Sequence, residues 1–309
     1  MEFRILGPLE VNGEHGAVAL GGTKPRAVLA VLLLHANQPV SAERLATALW
    51  GQDAPAGAVK TVQVHVSRLR KALDDPDAVS TTPAGYRLRV RPDELDAERF
   101  QRGVTAGRLA FDAGQPERAS ALLQAALELW RGPPLGDLAF EPFAQTEIAR
   151  LEEQRLAALE TRIDADLAAG RHAGLVSELR QLTAEHPTRE RLAGHLILAL
   201  YRSGRQAEAL GAYRDTRRTL VEDAGLEPGP ELQRLHAAVL GQDPALELPP
   251  QVTELPGELE AAARHDRRAP SAAARRGRWP ARAPGHAPDR PPGPRAAPAP
   301  AHRHGQRRR

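Results

Sequence analysis

The 309-residue sequence contains no cysteine and a single methionine, and aromatic residues make up only 4% of it. The lack of cysteine excludes structural disulfides, thiol catalysis and cysteine-ligated zinc sites. It is also compatible with a reducing cytosol.

Long apolar runs are missing as well. The most concentrated run spans residues 27–34, whereas a membrane-spanning helix needs about 20 apolar residues. We therefore predict a buried core helix there and no membrane partner. Residues 1–6 have the pattern of a strand, so we expect no signal peptide.

Motifs for phosphate, dinucleotide or nucleophile chemistry are absent, since the sequence has no Walker A loop, no Gly-x-Gly-x-x-Gly and no Gly-x-Ser-x-Gly. We expect no enzyme activity and no cofactor. His302 and His304 are the closest approach to a metal cluster. Because no other ligands lie near them in the sequence, we predict no metal site.

The net charge of +3 is the sum of a basic C-terminal segment and an acidic remainder. Residues 264–309 carry 13 Arg and 2 Asp, a charge of +11 that leaves residues 1–263 at −8. An Arg-, Pro- and Ala-rich segment buries too little apolar surface to fold, so we predict a disordered tail over 245–309. A basic arm with nonspecific DNA affinity and a truncated or frameshifted end are both open interpretations of it.

Residues 59–73 form an amphipathic basic helix at 3.6 residues per turn. One side is an apolar stripe that suits burial, made of Val59, Val62, Val66, Leu69 and Leu73. The opposite side carries Lys60, Thr61, Val64, Ser67, Arg68 and Lys71. Arg70 flanks the stripe, where its stem can pack while its guanidinium reaches outward. Such a face suits phosphates and guanine edges, although an ordinary solvated helix face has the same periodicity.

The segments around this helix favour a winged helix of about 95 residues. After it, Tyr86, Leu88 and Val90 alternate with arginines as in a half-buried strand, and Gly85 supplies a turn. Before it, residues 2–20 predict a small antiparallel sheet with an Asn12-Gly13 hairpin turn. Two further helices are predicted, capped by Thr23 and Ser41.

From residue 96 the sequence predicts an all-α domain that extends to residue 244. Segments 112–119, 168–174 and 202–209 resemble one another, and their glycines stand at positions 114, 170 and 204. The second interval is 34 residues, the tetratricopeptide period. The first interval is longer and includes a breaker-rich insertion over 130–137. Chance similarity in an Ala-rich chain is the alternative.

These motifs together resemble a known family. VKTVQVHVSRLRKAL at 59–73 and Gly85-Tyr86-Arg87 are similar to the recognition helix and wing of OmpR/PhoB-type domains. LGGTKPRAVL at 20–29 and ALWG at 48–51 resemble the Streptomyces antibiotic regulatory protein (SARP) family. The likeness continues through about residue 244. It implies an α+β winged helix at 1–95 and a tetratricopeptide-like bacterial transcriptional activation domain at 96–244.

The resemblance also implies roles for particular residues. It assigns double-stranded DNA contacts to Lys60, Thr61, Val64, Ser67, Arg68, Arg70, Lys71, Thr82 and Arg87, with Arg68 as the base reader. Thr82 stands where relatives commonly carry an Arg that enters the minor groove. The loop with Gln52, Asp53 and Ala54 corresponds to a loop that faces RNA polymerase, although a plain connector is the alternative.

The family likeness implies a cytoplasmic, nucleoid-associated activator of a secondary-metabolite biosynthetic cluster. It implies binding to tandem direct repeats as a homodimer or tandem dimer. The competing hypothesis is a tetratricopeptide-like scaffold or sensor that binds proteins, with DNA contact secondary.

Overall fold

A computed structural model describes residues 1–73, 75 and 77–248, which form two antiparallel sheets and ten α-helices. The first sheet has the order β1-β2-β3, and its strands are β1 Glu2–Arg4, β2 Glu10–Gly13 and β3 Gly16–Ala17. The second sheet pairs β4 Val79–Thr82 with β5 Gly85–Leu88. The helices are α1 Thr23–Leu34, α2 Ala42–Trp50, α3 Ala58–Ala72, α4 Asp96–Asp112, α5 Pro116–Leu127, α6 Ala144–Ala168, α7 His172–Glu185, α8 Glu190–Arg202, α9 Gln206–Thr219 and α10 Pro230–Gly241.

The hairpin turn between β2 and β3 differs from the prediction. Asn12 pairs with Ala17 and Gly13 with Gly16, so Glu14 and His15 form the two-residue turn and Asn12-Gly13 belongs to β2. In this register Val11 is buried in the core. Burial of that side chain outweighs the local preference of Asn-Gly for a turn.

The first two helices begin differently from each other. Ser41 caps α2 as predicted, because its hydroxyl accepts a hydrogen bond from the Arg44 amide at 3.1 Å. The prediction for Thr23 was wrong. Gly22 occupies the N-cap of α1, and Thr23 is the first helical residue, without a capping bond. The predicted core helix is confirmed, since residues 27–33 are all buried.

The three repeated glycines form three equivalent helix–helix turns. Gly114, Gly170 and Gly204 have φ of +71°, +78° and +73°, a region that favours glycine. In each turn the glycine amide donates to the carbonyl three residues earlier, and the next amide donates to the carbonyl five residues before it. The tetratricopeptide-like repeat is therefore confirmed as a structural repeat.

The insertion between the first two repeats joins the two predicted domains. We call residues 130–138 the strap. Its Leu135 amide donates to the Gly7 carbonyl at 2.8 Å, and its Asp137 carboxylate accepts from the Leu9 amide at 2.8 Å. Leu135 and Leu138 are buried in the same hydrophobic core as β1, α1 and α3. The sequence prediction of an insertion missed this role.

A second connection lies at the start of α4. The buried carboxylate of Asp96 accepts the Ile5 amide at 2.9 Å and the Leu6 amide at 3.0 Å. Burial raises the pKa of Asp96 above its ordinary value, although these amides and Arg131 oppose the shift. The described residues consequently form one compact unit.

The end of the described chain also departs from the prediction. The tail was expected to begin at residue 245, but Pro244–Leu246 form a 3-10 turn and the Leu246 carbonyl accepts from Arg202 at 2.7 Å. The rest of the predicted tail, with His302 and His304, lies outside the described residues. No helix within the described ranges is long and apolar enough to cross a membrane.

Truncation of a buried side chain of the strap should lower the unfolding free energy of the N-terminal half of the molecule. Leu138→Ala removes a buried side chain of its core, so we expect a loss of about 2–5 kcal/mol of unfolding free energy. Chemical denaturation followed by circular dichroism measures it. Leu109→Ala, at an exposed position of α4, is the control with a loss under about 0.5 kcal/mol. Equal effects of the two variants would contradict the shared core.

Candidate nucleic-acid interface

Helix α3 lies on α1 and α2 with the predicted stripe inward. Val62, Val66 and Leu69 are buried in its core, as is Leu73 directly after the helix, whereas Val59 is only half-buried. The stripe prediction is thus confirmed with one partial exception. Packing of this stripe fixes which side of α3 faces solvent.

The outer face of α3 is exposed along its whole length. The six residues predicted for this face are all solvent-exposed, namely Lys60, Thr61, Val64, Ser67, Arg68 and Lys71. Within the part of the chain that the structure describes, no carboxylate forms an ion pair with the basic members of this set. Among the described residues, the cations of this face therefore have no carboxylate partner, and an exposed valine lies beside them.

Arg70 does not reach outward as predicted. Its Nε donates to the Val79 carbonyl and its Nη2 to the Thr81 hydroxyl, both at 2.7 Å. The strand lies within reach because β4 is the element that follows α3 in the chain. Sequence periodicity gave no information about this contact across the α3–β4 connection. Arg70 thus fixes the position of the β4–β5 hairpin relative to α3.

The hairpin formed by β4 and β5, which we call the wing, is also fixed on its other side. Tyr86 and Val40 exchange two backbone hydrogen bonds of 2.8 Å. Gly85 has φ of +127°, and a Cβ at this position would lie 2.1 Å from the Val40 carbonyl oxygen. Only glycine allows this approach, which explains the Gly-Tyr pair in the sequence.

The two predicted DNA-contacting residues of the wing differ in exposure. Arg87 is exposed on β5. Thr82 is half-buried at the end of β4, and its hydroxyl donates to the Gly85 carbonyl at 3.0 Å. Thr82 therefore supports the hairpin turn and presents no charge.

His65 is a residue of this helix that the sequence reasoning missed. Its side chain is buried, and burial, with Arg68 and Lys24 nearby, lowers its pKa below the ordinary value. The neutral imidazole thus adds packing and no charge to the face. The spacing 58, 62, 65, 69 of buried positions along α3 would have indicated it.

The loop that precedes α3 is exposed in all of the residues predicted to face a protein partner, Gln52, Asp53 and Ala54. Gly51 and Gly57, with φ of +63° and +87°, bound it on both sides. A side chain at Gly51 would meet the ring of Pro142 at 3.9 Å. The loop therefore borders the segment that follows the strap.

Two family models match the chain. The model of the transcriptional regulatory protein C-terminal domain covers residues 17–88, and that of the bacterial transcriptional activator domain covers 95–240. Regulatory protein DnrI of Streptomyces peucetius is 39% identical over 257 residues, which are 80% of this chain and 94% of DnrI. The chain belongs to the SARP family of transcriptional regulators.

Longer relatives share the same region. Regulatory protein AfsR of Streptomyces coelicolor is 46% identical over 80% of this chain, but the chain spans only 25% of AfsR. The structure titled Mycobacterium tuberculosis EmbR in complex with low affinity phosphopeptide is similar with a TM-score of 0.77. Its sequence identity is 42%, over 79% of this chain and 65% of that one. These likenesses support the two-part fold of the described residues.

The Gly85–Val40 contact predicts a position that does not tolerate a side chain. Gly85→Ala forces Cβ into the Val40 backbone, so we expect it to lower stability by about 1–3 kcal/mol more than Gly16→Ala. Gly16 also has positive φ, at +107°, but its Cβ would meet no atom within 4 Å. Thermal unfolding of both variants separates the clash from the backbone preference. Equal melting temperatures would show that the wing adapts.

Proposed function

We propose that this SARP-family chain is a sequence-specific activator of transcription that acts in the cytoplasm on chromosomal DNA. The observation that carries the proposal is the exposed face of α3, whose cations have no carboxylate partners among the described residues. A winged helix places such a face in the major groove, where the phosphates on either side supply the counter-charge.

Each exposed side chain suits a particular part of the duplex. Arg68 is exposed on this face, and the family likeness assigns it to base edges, where its guanidinium suits guanine O6 and N7. Val64 suits the methyl group of thymine. The ammonium groups of Lys60 and Lys71 are exposed on the same face and suit phosphates. Arg87 on the wing suits a flanking phosphate.

The family likeness supports a particular class of target. Relatives include Regulatory protein DnrI and Transcriptional regulator RedD of Streptomyces. We propose a biosynthetic, secondary-metabolite gene cluster as the target, with tandem direct repeats one helical turn apart. Two copies of the chain, as a homodimer or tandem dimer, would occupy these repeats, and the loop at Gln52–Ala54 would contact RNA polymerase. No enzymatic step and no cofactor belong to this proposal.

The helical repeats favour a second candidate function, a scaffold that binds proteins and touches DNA only incidentally. The equivalent turns at Gly114, Gly170 and Gly204 are the observation behind it. An electrophoretic shift of the intact chain in excess nonspecific DNA separates the two functions, because a scaffold gives no sequence-specific shift.

Substitution of Arg68 and substitution of Lys71 should have different effects on DNA binding. Arg68→Ala removes a base contact, so we expect affinity for the preferred site to fall by about 1–3 kcal/mol and preference to relax at one base position. Lys71→Ala removes a phosphate contact and should lower the salt slope of binding by about one, equally on all sequences. Binding titrations on specific and random duplexes at several salt concentrations measure both.

The control for this comparison is Arg214→Ala, which removes an exposed arginine of α9. It leaves α3 intact and should keep both affinity and slope. If Arg68→Ala retains the wild-type ratio of specific to random binding, Arg68 is not the base reader.

A substitution at Thr82 in the wing should strengthen DNA binding. Thr82 is short and uncharged, so it contributes nothing to the narrow, electronegative minor groove of A·T-rich DNA. Thr82→Arg should tighten binding and raise discrimination in favour of A·T-rich flanks. Titrations on sites with A·T-rich and G·C-rich flanks measure it, and Thr82→Gln controls for side-chain length. No gain in either property would mean that the wing stays away from the minor groove.

A further inference from the structure

Asn37 belongs to the turn between α1 and α2, and its backbone has the left-handed conformation. Its φ is +64°, a region in which asparagine is enriched among residues other than glycine. The turn follows directly on α1, whose residues 27–33 are buried in the core. Asn37 is therefore attached to an element that is packed into the N-terminal half of the molecule.

The side chain of Asn37 forms a pair of hydrogen bonds with the backbone of Val90. Its Nδ2 donates to the Val90 carbonyl at 2.9 Å, and its Oδ1 accepts from the Val90 amide at 3.0 Å. The last ladder pair at the base of the wing is Val79 with Leu88, so Val90 lies beyond the paired residues of β5. The amide of Asn37 thus takes the place of a neighbouring strand for a buried residue, whose unpaired backbone groups would be costly.

The same turn contacts β5 at two further residues. The backbone amide of Asn37 donates to the Leu88 carbonyl at 3.0 Å, and Val40 exchanges its two hydrogen bonds with Tyr86. Arg87 lies between these two attached residues of β5, and it is exposed. The turn therefore holds β5 on both sides of the arginine that the wing offers to DNA.

Attachment of β5 matters because Arg87 contacts a flanking phosphate only if its strand keeps its position relative to α3. Arg70 of α3 supports the wing from its other edge, but its hydrogen bonds reach Val79 and Thr81 of β4. An arginine side chain already loses rotamer entropy when it binds a phosphate. Movement of its strand would add to this loss, so a strand that is held in advance favours the contact.

We propose that Asn37 is a positioning residue for DNA binding, whose side-chain amide holds β5 where Arg87 reaches the phosphate that flanks the site. This inference rests on the proposed function and extends it, since it assigns a role in DNA recognition to a residue outside both α3 and the wing. A role of Asn37 in the stability of the fold alone is the competing outcome of the test.

Asn37→Gly isolates the side-chain amide, because glycine adopts the positive φ without steric cost and removes both hydrogen bonds to Val90. In DNA titrations with the intact chain, this variant should weaken binding by about threefold and lower the salt slope by up to about one, in the direction of Arg87→Ala. Gln242→Gly is the matched control. It removes another amide side chain at positive φ, +50°, at the end of α10, and should keep the wild-type affinity and slope.

A double-mutant cycle separates positioning from stability. In the Arg87→Ala background, Asn37→Gly should change DNA affinity by less than about 1.5-fold, because the side chain that it positions is gone. In the Lys71→Ala background it should keep its effect of about threefold, since Lys71 lies on α3 and not on the wing. Independent effects of Asn37→Gly and Arg87→Ala, or wild-type affinity of Asn37→Gly, would overturn the proposal.

Hydrogen exchange of the free protein gives a measurement that does not depend on DNA. Asn37→Gly should speed exchange of the Val90 amide by about tenfold or more and that of the Tyr86 amide by less, while the Val66 amide of α3 keeps its wild-type rate. Equal acceleration at all three amides would show a loss of global stability and would overturn the positioning role. If the wild-type chain shows no specific DNA shift, the proposed function fails, and the exchange rates still decide whether Asn37 holds β5.

Discussion

The carboxylate of Asp96 has a central place in this structure. It accepts hydrogen bonds from the amides of Ile5 and Leu6, directly after β1. Asp96 is the first residue of α4, and its side chain is almost completely buried. The strap reaches the same stretch of chain, where the Arg131 amide donates to the Leu6 carbonyl at 2.8 Å. Because unpaired buried polar groups are costly, these bonds hold β1 and the helical half together.

The orientation of the DNA-binding face depends on this junction. Leu135 and Leu138 complete the core on which α1 and α3 lie, and Arg70 and Gly85 then set the wing against α3. Helix α3, the wing and the helical repeats therefore belong to one compact unit. A regulator built in this way presents its recognition face from the same core that anchors the strap.

Local sequence patterns predicted the features that depend on neighbours in the chain. The stripe of α3, the Ser41 cap and the three glycine turns each follow from spacing or backbone conformation. The Asn12-Gly13 turn and the outward Arg70 were wrong because tertiary contacts decide them, and the predicted insertion at 130–137 gave no indication of its contacts with the N-terminal strands. Burial of Val11 sets the register of β2, and the Val79 carbonyl accepts a hydrogen bond from Arg70. The carbonyls of Leu6 and Gly7 accept hydrogen bonds from the strap. Exposure of the candidate DNA face was predictable from periodicity.

Site selection from a random-sequence DNA library by the intact chain tests the central claim most directly. The account predicts enrichment of a recurrent motif, since Arg68, Val64 and Ser67 form an exposed face for base edges. The same selection with Arg68→Ala should lose information at one base position of that motif. Retention of DNA without any enriched sequence would contradict the account, because it would reduce the α3 face to a nonspecific phosphate-binding surface.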